Sequence, residues 1–347
     1  MRQRLRPVIA TVIGLAVAST LLGAGSASAA VSTDPPSTPP KSDIVGVGSD
    51  TTQDVINLDG PTNRTSGFTI NYNNTNPDAK LWAYDAFGDP ATIVTSQGCA
   101  PITRPAGSSA GVAALKADQA SGDGCIDFAR SSRVKNPATD GNLEFVPFAR
   151  DGVTWATFPR QPGTKRFNAP KNLTTAQLTS IYNCSVTNWN QVGGRNGQIA
   201  AYLPQSGSGT RSFFLAAIGV PTPGGCVNQP VGFPENDGSA VPVADRKNAI
   251  LPYSIARYVA QTKGTSEDVR AGAVLREING TKPVVDKKLN PGFTSSFLRQ
   301  VFNVLKPEDM SDPDFQAVFA ADGYICTHPR ITQAFGFGQL SGASCGY

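Results

Sequence analysis

Several times along this 347-residue chain, a short run suited to a strand gives way to a loop of glycine, serine and threonine and then to helix formers. Ile44-Val45-Gly46-Val47-Gly48 leads through Ser49-Asp50-Thr51-Thr52 into residues 53–58. Gly107-Ser108-Ser109-Ala110-Gly111 opens onto residues 112–117. Residues 199–203 lead through the loop 205–210 into 211–218. A fourth strand, Ile126-Asp127-Phe128, runs into Ala129-Arg130-Ser131-Ser132-Arg133. Strands and helices in this alternation predict an α/β architecture. Thr174 with Gln177 three positions on predicts a capping-box helix start. Residues 144–150 and 151–155 read as two strand pieces joined at a break, a crossover between domains.

The first residues set the compartment. Arg2, Arg4 and Arg6 precede an apolar stretch, and Ala27-Ser28-Ala29 offers a small-residue cleavage site, so 1–29 reads as a secretory signal peptide. No cysteine follows that site to carry a lipid, and no later stretch is apolar enough to span a bilayer. The expectation is a secreted chain with neither anchor nor transmembrane segment. Residues 30–43, rich in Pro, Ser and Thr, read as a disordered or extended leader. Removing 1–29 takes away three Arg and no acid, leaving 27 basic and 26 acidic residues. A net charge of +1 with no basic run argues against nucleic acid as a partner. The remaining length exceeds one typical core, which predicts two domains.

Six cysteines in an exported chain read as disulfides. Proximity favours Cys99–Cys125, Cys184–Cys226 and Cys326–Cys345. With no C-x-x-C pair and a single His, neither a metal nor another cofactor is expected.

Candidate chemistry lies in the loops. At a helix start the first N–H groups are unpaired and carry partial positive charge. Glycine admits a ligand to the backbone, while Ser and Thr add donors, so Ser206-Gly207-Ser208-Gly209-Thr210-Arg211 suits a small anion. Ligands of open α/β sheets bind where such loops converge, beyond the carboxyl ends of the strands. Ser49-Asp50-Thr51, Ser108-Ser109 and Ser132 join the set.

The ordered series Gly46-Val47-Gly48-Ser49, Ala106-Gly107-Ser108-Ser109-Ala110-Gly111-Val112, Leu173-Thr174 with Gln177-Leu178, Thr187-Asn188-Trp189 with Val192-Gly193-Gly194, and Ser206-Gly207-Ser208-Gly209-Thr210-Arg211-Ser212 resembles the phosphate-binding proteins of ABC phosphate transporters. The resemblance implies a two-lobe type II periplasmic-binding-protein fold, each lobe a mixed sheet flanked by helices, with the ligand cleft between them. Lobe 1 would comprise 44–154 plus 291–347 and lobe 2 would comprise 155–290. It implies a small oxyanion, phosphate, as ligand, an ABC transporter permease as partner, a monomer, and no enzymatic activity. Ser108, Ser208, Gly209 and Thr210 fall on phosphate-contacting positions, and Ser49, Asp50 and Thr51 on the first phosphate loop. Two positions depart from the family: Ser132 stands where an aspartate usually accepts the ligand's proton, and Pro204 where some members carry an arginine. Asp50 is expected to replace the acceptor and Arg211 to supply the counter-cation.

Two other readings use the same residues. Gly107-Ser108-Ser109-Ala110-Gly111 fits the G-x-S-x-G elbow of serine hydrolases, with His328 and Asp245 or Asp286 in suitable chain order. The segment before it, Thr103-Arg104-Pro105-Ala106, is a poor buried strand. The second alternative is a ligand-free secreted scaffold or adhesion module of the same fold.

Overall fold

The computed structural model describes residues 33–58, 66–340 and 344–347, so the expected signal peptide lies outside the described residues. β1 (Ile44–Gly48) is buried at every position, as for a strand covered on both faces. Gln53–Asn57 forms α1, a short helix. β2 (Leu81–Ala83) follows, then the 14-residue α2 (Ser108–Ser121) and β3 (Phe128–Ser131). β4 (Glu144–Thr157) precedes α3 (Thr175–Tyr182), which carries the expected Thr174–Gln177 capping box. β5 (Ala200–Ala201) and α4 (Gly209–Ala217) come next. β6 (Ala249–Ser254), α5 (Ile255–Lys263), β7 (Val274–Leu275) and β8 (Leu298–Leu305) complete the frame.

The strands build one mixed sheet in the order β2-β1-β3-β8-β4-β6-β5, with β7 also on β4. The break expected after Arg150 is absent: β4 is continuous and changes partner instead. Residues 144–152 pair with β8, and 153–156 pair with β6. Pro147 sits where the register slips between Val301 and Phe302, leaving Phe148 without an opposite residue. A bulge tolerates a residue that cannot donate to the ladder.

The core divides along β4. One cluster takes residues between Val153 and Phe297, with Trp155, Trp189, Phe214 and Tyr253 at its centre. Two others, on either side of the β1–β3–β8 sheet, draw on 44–149 and 301–345, plus Ala256. Trp155 stacks on Trp189 with ring centroids 6.1 Å apart and donates Nε1–H to Glu277 O at 3.0 Å.

Disulfides join Cys99 to Cys125, Cys184 to Cys226 and Cys326 to Cys345, the pairs that proximity favours. Residues 33–43, expected as a loose leader, are docked. Asp34 pairs with the buried Arg104 at 2.8 Å, and Thr33 donates to Asp85 from both N and Oγ1. The asparagine-rich 71–76 region also departs from the solvated loop its composition suggests. Phe68–Asn73 is helical, and Asn73 exchanges hydrogen bonds with Leu81 N and O, tying that helix to β2. Among the described residues, no helix is long and apolar enough to cross a membrane.

Trp155→Ala removes a fully buried ring and its partner's stacking face, and should cost about 3–5 kcal/mol in denaturant unfolding with disulfides intact. A loss below about 1 kcal/mol would place the core elsewhere.

Candidate functional site

Gly48 ends β1 with φ 115° and lies 2.7 Å from Arg130 O at the place where a Cβ would stand, so only glycine makes this turn. The turn delivers Ser49. Arg130, fully buried on β3, holds it by donating Nε to Ser49 O at 3.0 Å and Nη2 to Tyr84 O at 2.8 Å. Burial lowers the Arg130 pKa to about 10, which leaves it charged at neutral pH.

Loops remote in sequence then meet. Ser49 Oγ donates to Ser132 Oγ at 3.2 Å, and the Ser108 and Ser132 hydroxyls are 3.2 Å apart. Ser132 N donates to Ser108 Oγ at 3.0 Å. Thr51 Oγ1 and Thr210 Oγ1, 159 positions apart, lie at 3.1 Å. Ser49, Thr51, Ser108, Ser132, Ser208 and Thr210 are all fully buried. Gly209 makes the meeting possible, because a Cβ there would stand 2.4 Å from both Ser108 Oγ and Ser132 Oγ.

The start of α4 holds an anion already. Ser208 is its N-cap, accepting from Arg211 N at 3.0 Å. The same Ser208 hydroxyl donates to Glu235 Oε2 at 2.6 Å, and Thr210 N donates to that oxygen at 2.9 Å. Glu235 is buried, and its Oε1 has no hydrogen-bond donor among the described residues; Asp50 Oδ1 is buried in the same condition. Burial raises the Asp50 pKa well above the carboxylate range, with further upward pressure from the Glu235 charge and hydrogen bond. Burial also pushes Glu235 up, but hydrogen bonds from Asp50, Ser208 and Thr210 and the Arg299 charge outweigh it, leaving its pKa lowered. Burial and the Glu235 charge thus favour the neutral form of Asp50 beside a charged Glu235.

Glu235 is held in place by its neighbour. Asn236, at φ 59°, donates Nδ2 to Thr51 Oγ1 at 3.1 Å and accepts Ser254 N on Oδ1 at 2.7 Å. Asparagine tolerates this left-handed backbone.

The expected counter-cation is corrected. Arg211 turns away from the cluster, donating to Pro204 O at 2.9 Å and to Gln229 Oε1. The buried cation that reaches the Thr210 hydroxyl is Arg299 of β8. Its Nη1 donates to Ser132 O at 2.8 Å and its Nη2 to Thr210 Oγ1 at 2.9 Å, while Nε and Nη2 both reach Asp151 Oδ2. Asp151 in turn caps α5, accepting from Ser254 Oγ at 2.8 Å and Ala256 N at 3.0 Å. Asp50 is buried beside the cluster, its Oδ1 is unpartnered among the described residues, and its raised pKa favours the neutral acid. The Arg257 guanidinium, on α5, pairs with Asp54 of α1 beside it.

Ser109 serves the junction through its backbone, N donating to Gly207 O at 3.0 Å, while its Oγ accepts Arg133 Nε at 3.0 Å. His328 is exposed, stacked on Tyr324, with Nδ1 2.8 Å from Tyr324 O. Asp245 accepts from Tyr202 Oη, and Asp286 is exposed. The structure does not bring Ser109, His328 and either acid together. Among the described residues, no group of three or more His, Cys, Asp or Glu could hold a metal ion.

Glu235, Asn236, Arg299 and Asp151 escaped the sequence reading. Arg299 had a faint signal, a charge inside the otherwise largely apolar strand 298–305. Glu235 and Asn236 lie between Pro234 and Asp237-Gly238 in an irregular loop whose composition gives no periodicity to read.

Comparison with known proteins supplies independent findings. A family model described as a PBP superfamily domain matches residues 34–285. A Clostridium perfringens protein, assigned as a phosphate ABC transporter substrate-binding protein and solved with bound phosphate, superposes with a TM-score of 0.59 at 18% identity. The match covers 86% of this chain and 100% of that one. An ABC-type phosphate transport receptor from Vibrio cholerae gives a TM-score of 0.54 at 20% identity, with 86% and 100% covered. A phosphate-binding protein from Stenotrophomonas maltophilia gives 0.51 at 12% identity, with 87% and 91% covered. These likenesses concern the fold. No curated protein matches the sequence significantly.

The raised Asp50 pKa has a definite sign in stability. Its contribution is present in full below the ordinary carboxylate value of 3.8 and is lost as pH rises toward the folded-state value. Asp50→Asn is nearly isosteric and does not titrate. As pH rises above the ordinary carboxylate value of 3.8, melting temperatures of the variant should gain steadily on those of the wild type. A gap independent of pH would show that Asp50 is not a buried acid.

Proposed function

Since the chain belongs to the PBP superfamily, we propose that it is a secreted solute-binding protein that closes two lobes around a small oxyanion, phosphate. The lobes would be 44–154 with 291–347, and 155–290. The partition of the hydrophobic clusters on either side of β4 supports these boundaries. β4, shared by both halves of the sheet, would be the strand about which they move.

One observation carries the reading. Ser208 Oγ and Thr210 N, at the start of a nine-residue helix, already converge on a single anionic oxygen. Donors so placed bind an oxyanion with little net charge, through the helix dipole and unpaired amides. The Thr210 hydroxyl meets Thr51 and Arg299, and the Ser49, Ser108 and Ser132 hydroxyls cluster beside Gly209, from where they would supply donors for the other oxygens. Protonated phosphate can donate to a carboxylate nearby, whereas sulfate cannot, so the acidic lining favours phosphate. The Clostridium and Vibrio proteins of similar fold are named for phosphate transport, which supports both this ligand and an ABC permease as recipient. The protein would act as a monomer and catalyse nothing.

The scaffold reading has one observation in its favour: the Glu235 carboxylate fills two of the donors. Calorimetry and thermal shift separate the two readings. Phosphate should raise the melting temperature more than sulfate does, and Ser108→Ala should weaken phosphate about ten- to a hundredfold, the loss of a charge-assisted hydrogen bond of ~1.5–3 kcal/mol. No stabilisation by phosphate, sulfate or phosphorylated sugars would favour the scaffold.

A further inference from the structure

We propose that Glu235 is an intrinsic ligand of the cleft: its carboxylate occupies the oxyanion position on α4 and shuts the lobes without solute, so that phosphate enters only by displacing it. The proposal rests on the oxyanion reading above and adds how the site is regulated.

Glu235 Oε2 takes both Ser208 Oγ at 2.6 Å and Thr210 N at 2.9 Å, and an oxygen of phosphate cannot use those donors while it stays.

Glu235 differs from an ordinary structural cap. Asp151 holds the start of α5 in the same pattern, through the N-cap hydroxyl of Ser254 and the amide of Ala256. Both Asp151 oxygens are partnered, and Arg299 neutralises it at 2.9 Å. Among the described residues Glu235 has no cation within salt-bridge distance, and its buried Oε1 has no hydrogen-bond donor. A carboxylate so placed is the weaker occupant, and an anion with more acceptor oxygens can take more of the surrounding donors.

Closure needs no solute. Thr51 meets Thr210, Ser109 N meets Gly207 O, Gln205 Nε2 donates to Ala106 O at 3.0 Å, and Asn236 reaches Thr51. The described residues accordingly form one compact unit. Glu235 adds the electrostatic closure, because it supplies negative charge at the start of α4. Exchange of one anion for another preserves that balance. The Asn236 backbone stays anchored, so rotation of the Glu235 side chain suffices to clear the donors. The apparent affinity for phosphate is then the intrinsic affinity reduced by the fraction of molecules with Glu235 displaced.

The test compares the full secreted chain with Glu235→Ala and Glu235→Gln, using inorganic phosphate as the probe. Small-angle scattering should find the ligand-free wild type as compact as the phosphate-saturated one. Ligand-free Glu235→Ala should be expanded and should contract on adding phosphate, and calorimetry should give it at least about tenfold tighter phosphate binding. Glu235→Gln, nearly isosteric, should also bind phosphate more tightly and carries the test if circular dichroism shows the alanine variant unfolded. Phosphate binding unchanged or weakened in the folded variants, with wild-type scattering, overturns the proposal. If no form binds phosphate, the oxyanion reading fails on its own, and the scattering of ligand-free Glu235→Ala still decides the latch: expanded supports it, compact overturns it.

Discussion

Two donors of α4, the Ser208 hydroxyl and the Thr210 amide, set the character of the cleft. They sit where a helix leaves its first N–H groups unpaired, and the Ser208 hydroxyl both caps the helix and donates outward. Such an end attracts negative charge whatever its source. Glu235, Arg299 and the hydroxyl ring of Ser49, Ser108 and Ser132 are arranged around that demand. Gly209 is the steric condition for it, because any side chain there would push the α4 start off the facing serines.

The sheet supplies the precision. β1 and β3, parallel and buried, end together and place Ser49 and Ser132 side by side. β8 runs antiparallel between β3 and β4, which sets Arg299 opposite Asp151. β4 passes from one half of the sheet to the other without interruption, and both halves inherit their geometry from it. Asp151, near the point where β4 changes partners, ties Arg299 to the α5 cap. The site's cation and the start of α5 are therefore held by one carboxylate.

Much of this was legible in the residues. β1 and the capping box at Thr174 follow the written pattern, because strand burial and local capping are short-range effects. The loops that meet were also visible as glycine-serine segments before helices. What stayed hidden was pairing at long range. Only the apolar setting of Arg299 in its strand hints that it turns inward, while Arg211 turns to Pro204 and Gln229. Glu235 lies in an irregular loop, and only the folded chain brings it to α4. The leader at 33–43 reads as loose by composition, yet the buried partner Arg104 fixes it through Asp34. Asparagines at 71–76 read as solvated, yet Asn73 mimics a strand edge for Leu81.

The central claim is that α4 presents a built oxyanion site whose resident anion is exchangeable. A crystal structure of the protein saturated with phosphate tests it most directly. The account predicts a tetrahedral ion bonded to Ser208 Oγ, Thr210 N and the Ser108 and Ser132 hydroxyls, with the Glu235 carboxylate rotated off them. Glu235 still seated on Ser208 and Thr210, with no ion among those hydroxyls, would contradict it.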